Sequence, residues 1–417
     1  MIRAAALLAA ACGVARADSW LYRVELDPAA PLTARVVVEL PAERRAQDFS
    51  VQARGMASNF MPQVADPRCD ASPLAPDSAG AWRVQGWNCV RLSWTVLFKS
   101  APEAGVDPRA LESLFDPRAR FWLFSEATAL LRPVGDAPHA GEIEFAGGGP
   151  VNGGEPGSRP PRRAVPDREA APGLYVIGDL PRVAVREGTA EVINVNALGI
   201  DLRDTLAQHR RLLRYLMQTA RLRPAQSWRS TVVWLAAADD GEPVEVSGFG
   251  TLLLSCAVRD GRLQHPEIAL LLIGREQFLQ IAPAGVPLWV RESLAQYYAI
   301  KALRQSDLPA AAITAVERRF IDPLRPPAVK LREAQRRIQS GESGLRSALH
   351  SAGATFWDRI DHAIVRKSGF RTLDSALPRI LAAEYTDDRL PSTILDRLYR
   401  YAGEGAVDDL LSVYVGR

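Results

Sequence analysis

At 417 residues the chain is long enough for two or three domains, each with a sizeable core. Its 47% hydrophobic and 24% charged content is that of a globular protein and excludes global disorder. With 51 basic against 48 acidic residues the net charge is only +3, so the overall balance implies neither a nucleic-acid surface nor a polybasic membrane patch.

Residues 1–17 read as an export signal: Arg3 precedes an apolar run from Ala4 to Ala11, and Ala15-Arg16-Ala17 gives a small-x-small cleavage site before Asp18. Cys12 loosely resembles a lipoprotein acceptor, but Ala9 stands where a larger aliphatic residue is usual. The expected product is therefore exported, periplasmic or secreted, with lipidation the lesser reading. No later apolar run reaches the ~20 residues a membrane helix needs, so no transmembrane segment is expected. Export gives the cysteines a meaning: Cys69 and Cys89 are candidates for a disulfide, with Cys256 left single and buried. No Cys-x-x-Cys pair with metal spacing occurs.

Residues 18–147 carry short runs with partial period-two alternation, among them WLYRVEL, ARVVVEL, AWRVQGW, VRLSWTVLF and GEIEF. Turn-rich stretches separate them, which predicts an antiparallel β-sandwich. Its tryptophans, Trp82, Trp87, Trp94 and Trp122, read as core residues rather than as a sugar-binding groove. Residues 148–173 follow in a stretch that, counted from Ala146, holds seven Gly and six Pro in 28 positions, and they read as a linker. Residues 174–304 resume with strands (GLYVIG, RVAVREG, AEVINVNA), a helix from about Leu202 to Arg221, a strand STVVWLAA and an apolar run GTLLLSCAV. Two apolar helices then open at Pro266 and Pro287. Residues 305–417 read as helical throughout, with charges alternating with apolar positions as on solvated faces of packed helices.

The stretch LLIGREQFLQIAPAGVPLWVRESLAQYY, residues 271–298, sets Arg275, Glu276 and Glu292 on apolar helical stripes, where unpaired charge is costly. Ile268, Leu272, Arg275 and Leu279 share one stripe; Leu288, Glu292, Ala295 and Ala299 share another. This helix pair, with Leu288, Trp289, Glu292, Tyr297 and Tyr298 in the second helix, resembles the core of the gluzincin metallopeptidases. The nearest families are the glycyl aminopeptidases, which often carry PDZ domains, and more distantly the aminopeptidase N group.

The resemblance implies a multidomain α and β protein: the β-sandwich, a thermolysin-like α/β domain and a helical C-terminal region. It also implies roles position by position. Arg275 and Leu279 stand where the two zinc histidines of His-Glu-x-x-His would be. Glu276 matches the general base and Glu292 the third zinc ligand. Thr251, in SGFGTLLLS, is the match to a substrate-binding glutamate. In HSAGATF, Gly353 matches a Tyr-x-x-Gly motif and His350 replaces its oxyanion-stabilising tyrosine. A catalytic zinc needs about three protein ligands, and arginine, always cationic, repels a metal. The expectation is a zinc site that has been lost and no cofactor, in a non-catalytic pseudopeptidase that binds a peptide or partner protein or serves in an assembly, with no nucleic acid. Arg275 is expected to pair with Glu292, Glu276 or both, a geometry suited to a guanidinium. The alternative is an active hydrolase with an unconventional metal site, or with metal-free chemistry by Glu276, Glu292 and His350.

Overall fold

A computed structural model describes residues 20–416 apart from 46–47, 54–61, 79, 86–88, 102–104, 135–140, 155–161, 168–169, 222–227 and 323–325. The expected export segment with Cys12, and also His139 and Trp87, lie outside the described residues. The chain divides into two compact units, Met1–Ala101 with Ala110–Asp179, and Pro102–Arg109 with Leu180–Arg417.

In the first unit, alternating strands put every second residue inside, as in Trp20–Leu26 and Arg91–Leu97. A seven-stranded sheet runs in the order Arg163–Val165, Gly141–Ala146, Trp20–Leu26, Thr33–Glu39, Arg91–Leu97, Val64–Cys69, Ser72–Pro73. It shares one apolar core with a four-stranded and a three-stranded sheet. Trp82, Trp94 and Trp122 are buried in that core. The expectation of a purely antiparallel unit is corrected at two places. Trp20–Leu26 pairs parallel with Gly141–Ala146, and Lys99–Ser100 pairs parallel with Leu114–Asp116. A parallel pair needs a long crossover rather than a hairpin, and more than a hundred residues of the unit separate the first of these pairs. Cys69 and Cys89 are joined by a disulfide with a Cα separation of 5.4 Å.

The Gly/Pro-rich stretch does not behave as a linker where it is described. Arg163–Val165 extends the large sheet by pairing with Gly141–Ala146, and Val151 bridges Ile177. Buried Asn152 exchanges hydrogen bonds with Val176 and donates through Nδ2 to Leu174 O. Compositional reasoning fails here because main-chain and side-chain hydrogen bonds, together with the burial of Val151 and Val165 in the core, hold the segment.

The second unit is built on a five-stranded sheet of β1 (Arg182–Glu187), β2 (Ala190–Asn196), β3 (Trp228–Ala236), β4 (Val244–Gly248) and β5 (Thr251–Cys256). Their order is β1-β2-β3-β5-β4, with β3 parallel to both of its neighbours and the two edge strands antiparallel to theirs. Helix α1 (Arg203–Ala220) connects β2 to β3 and buries Leu206 and Leu213 toward the sheet cluster, with Met217 partly buried against it. Two helices follow the sheet, α2 (Pro266–Ile281) and α3 (Leu288–Leu303). Each starts where a proline sets the chain: Pro266 is the first helical residue of α2, and Pro287 caps α3. Both are apolar nearly all round, as fits helices enclosed by other elements. They are packed against by α4 (Ala310–Phe320), α5 (Leu331–Gln339) and α6 (Arg346–Ser368), and the chain continues through α7 (Leu377–Ala382), α8 (Ser392–Ala402) and α9 (Glu404–Leu410). The predicted α/β domain and helical region therefore form one unit, and Leu174–Ile177 belongs to the first. Among the described residues no helix is long and apolar enough to cross a membrane.

Candidate functional site

Edge strand β4 was not legible in the sequence reading, and it supplies the site's missing partners. Its alternation puts Glu245 and Ser247 on one face, two residues apart, and both meet helix α2. Glu245 forms an ion pair with Arg275, whose side chain is only 16% exposed. Ser247 Oγ donates to Glu276 Oε2 at 2.7 Å, and Gln280 Nε2 donates to Glu276 Oε1 at 2.8 Å from the next turn of α2. The expectation that Arg275 pairs with Glu292 or Glu276 is thereby corrected. His350, from α6, stands between Arg275 and Glu292: Arg275 Nη1 lies 3.1 Å from His350 Nδ1, and His350 Nε2 lies 3.1 Å from Glu292 Oε2. Arg346, one turn earlier on α6 and largely exposed, reaches the other Glu292 oxygen at 3.8 Å.

The chemistry of the donors fixes the protonation of this chain. A guanidinium has only N–H donors, so His350 Nδ1 accepts from Arg275 and carries no proton. The imidazole is neutral, with its proton on Nε2, donated to Glu292. Its environment agrees: burial pushes His350 below its ordinary value, Arg275 and Arg346 push the same way, and the bond to Glu292 opposes them without prevailing. For Glu292, burial acts upward, but the His350 hydrogen bond and the nearby cations hold the carboxyl below the usual range. Burial also draws Arg275 below its ordinary value, opposed by Glu292 and Glu276. The result is a row of alternating sign, Glu245, Arg275, neutral His350, Glu292, Arg346, running across four elements, β4, α2, α6 and α3.

Thr251 opens the inner strand β5, is buried, and pairs in register with Gly248 and Thr231. Ser247 is the residue bonded to Glu276. Leu279 is partly buried against the helical core. Tyr297 and Tyr298 are fully enclosed and bonded to Asp361 and Asp374, which also hold Lys301 Nζ at 2.7 Å each. Tyr215 from α1 completes that cluster through Asp374. These tyrosines lock α1, α3 and α6 together. Gly353 lies where α6 crosses α3 at Ser293.

Among the described residues the one place where three or more His, Cys, Asp or Glu donor atoms gather closely is Cys69, Asp70 and Cys89 in the first unit, where the two sulfurs are bonded to each other. The alternating row is not such a place.

No protein-family model matches the sequence. No curated protein matches it either. Solved structures do match. The aminopeptidase N family protein of Idiomarina loihiensis superposes with a TM-score of 0.66 at 13% identity, over 95% of this chain and 76% of that one. An M1 zinc metallopeptidase of Deinococcus radiodurans gives 0.49 at 15% identity over 96% and 94% of the two chains. Yeast LTA4 hydrolase in complex with bestatin gives 0.44 at 10% identity over 96% and 67%. The fold is metallopeptidase-like. Within that class the likeness lies with the aminopeptidase N family protein.

Proposed function

We propose that this protein is an exported, non-catalytic pseudopeptidase of gluzincin-like fold, binding a peptide or a partner protein in its inherited cleft or serving as an assembly component. One observation carries the reading: the Glu245–Arg275–His350–Glu292 row. The resemblance puts the first zinc imidazole at Arg275 and the second at Leu279, and neither side chain offers a lone pair to a metal. His350 has both nitrogens committed, one accepting from Arg275 and one donating to Glu292. Glu276 is held by Ser247 and Gln280. Glu292 is then a single carboxylate in a place where zinc needs about three donors, so the residues present do not fit the ion. The guanidinium supplies positive charge to Glu292 instead, and without a metal there is no activated water to attack a peptide bond. Metal-free chemistry finds no support either, because Glu276 is bonded to Ser247 and Gln280 rather than to Glu292 or His350, and a divided acid/base pair requires convergence on one reacting atom.

The test is elemental analysis of the purified mature chain combined with hydrolysis of aminoacyl and peptide substrates. The expected result is substoichiometric zinc and no chelator-sensitive turnover. Stoichiometric zinc together with chelator-sensitive hydrolysis overturns the reading, and hydrolysis that survives chelation but is lost in Glu276→Gln turns it toward a metal-free enzyme.

A further inference from the structure

The near-balanced overall charge hides a local excess at the C-terminal end of α6, where it meets α8. Arg366, Lys367, Arg371 and Arg400 are exposed and Arg397 is half-buried. None of the five has a carboxylate partner among the described residues. Lys367 Nζ donates to a main-chain oxygen, Tyr399 O, and Arg397 Nη1 to the Tyr401 hydroxyl. Many other arginines of this chain are in ion pairs, Arg304, Arg319, Arg332 and Arg337 of the same unit among them.

Interleaved with these cations are aromatic rings. Arg397 lies over the Tyr401 ring at 5.7 Å, Arg371 over the same ring at 4.9 Å, and Arg371 again over Phe370 at 5.5 Å. The alternation Arg397, Tyr401, Arg371, Phe370 brings cations together without carboxylates because the ring faces attract them. It ends on Phe370, which is 80% exposed, the most of any large apolar side chain described. Val365, on the last turn of α6, is 41% exposed. Of the carboxylates near this end, Asp396, Glu404 and Asp408 act on Tyr399, while Asp358 and Asp409 line one hollow with Arg366 without forming an ion pair with it. Tyr399 is two residues from Tyr401 and so ~200° round the helix from it.

We propose that this patch is a peripheral docking surface for an anionic lipid bilayer, with the five cations meeting headgroup phosphates and Phe370 entering the headgroup–acyl boundary. Charge complementarity selects an anionic partner, and the exposed ring selects among anionic partners. A ring beside cations gains by leaving water for the interface of a membrane. A single-stranded nucleic acid needs a succession of free ring faces on which bases stack, and with Tyr401 engaged by two guanidiniums only Phe370 offers an open face.

The experiment is co-sedimentation of the mature protein with phosphatidylglycerol/phosphatidylcholine vesicles, with phosphatidylcholine vesicles alone, and in competition with a single-stranded oligonucleotide, at low and high salt. The expected result is binding that requires phosphatidylglycerol, weakens with salt, and falls by roughly tenfold or more in Arg371→Glu/Arg397→Glu and in Phe370→Ser. Arg366→Glu/Lys367→Glu leaves the ring ladder untouched and is expected to weaken binding likewise, which covers the case of a misfolded ladder variant. Absence of binding to phosphatidylglycerol, equal binding to phosphatidylcholine, insensitivity to Arg366→Glu/Lys367→Glu, or displacement from vesicles by the oligonucleotide each overturns the proposal.

Discussion

A buried imidazole that accepts from a guanidinium resists protonation, because a proton on His350 Nδ1 would both break the bond to Arg275 and set two cations against each other. His209 resists it more strongly. It is fully enclosed on α1 beside Gln277, and burial, with Arg210 adding to it, pushes it down to about 3. Both groups lie below their ordinary value of 6.5, so between the folded and unfolded values the unfolded chain holds more protons. Stability is therefore full above the ordinary imidazole range and falls as pH drops through it, toward about 3 in the case of His209. Glu292, also lowered, adds a loss of the same sign at more acid pH. The urea midpoint is expected to decline between about pH 7 and pH 5, and less steeply in His209→Gln, whose side chain does not titrate. An identical slope in the variant would show that His209 binds its proton as readily folded as unfolded. At this scale the sequence was half legible. The helical stripe gave the burial of Arg275, but its partner sits in β4, a five-residue strand with partly exposed positions that left no run long enough to read.

Helix crossings explain residues that motif matching could only name. Gly353 was readable as part of a Tyr-x-x-Gly resemblance; its physical role is that a Cβ there would lie 2.1 Å from Ser293 Cβ and 3.0 Å from Ser293 Cα. α6 and α3 would have to separate, straining the bond from Trp357 Nε1 to Ser293 Oγ at 2.7 Å. Helix propensity alone favours alanine over glycine by ~1 kcal/mol, while overpacking a buried contact costs ~1–3 kcal/mol and more when backbone must move. Gly353→Ala is expected to destabilise by about 1–3 kcal/mol despite its better propensity. Gly274, on α2, provides the control: a Cβ there meets Ala299 at 3.4 Å and Leu212 at 3.5 Å, ordinary contact distances. Gly274→Ala is expected to be neutral or stabilising by thermal denaturation, and equal losses in the two variants would remove the steric explanation. The helices themselves were legible because their apolar spacing is sustained over sixteen or more residues in α1, α2 and α3.

At the scale of the molecule, the sequence reading failed where composition pointed one way and hydrogen bonding the other. Seven Gly and six Pro argue for a free linker, yet the described parts of 148–173 belong to the first unit. A fully buried ion pair accounts for much of this. Arg132 Nη1 donates to Glu126 Oε1 at 3.0 Å and to Pro166 O at 2.7 Å, with the two side chains 3% and 0% exposed. Glu126 also accepts from Gly173 N at 3.4 Å, and its own N–H donates to Gly173 O at 2.9 Å. Neither arginine nor glutamate in RPV and SEAT carries a sequence signal for burial, since both residue types are ordinarily exposed. Removing one partner leaves an uncompensated buried charge, a loss of ~3–5 kcal/mol. Arg132→Met keeps the volume and removes both the cation and the tie to Pro166. Cleavage within 148–173 by a dilute protease is therefore expected to become faster by on the order of a hundredfold, since proteolysis of a transiently opened segment follows the free energy of opening. A wild-type chain cut in this segment as rapidly as an unstructured peptide, or a variant cut no faster than wild type, would mean that the pair does not hold the segment in place.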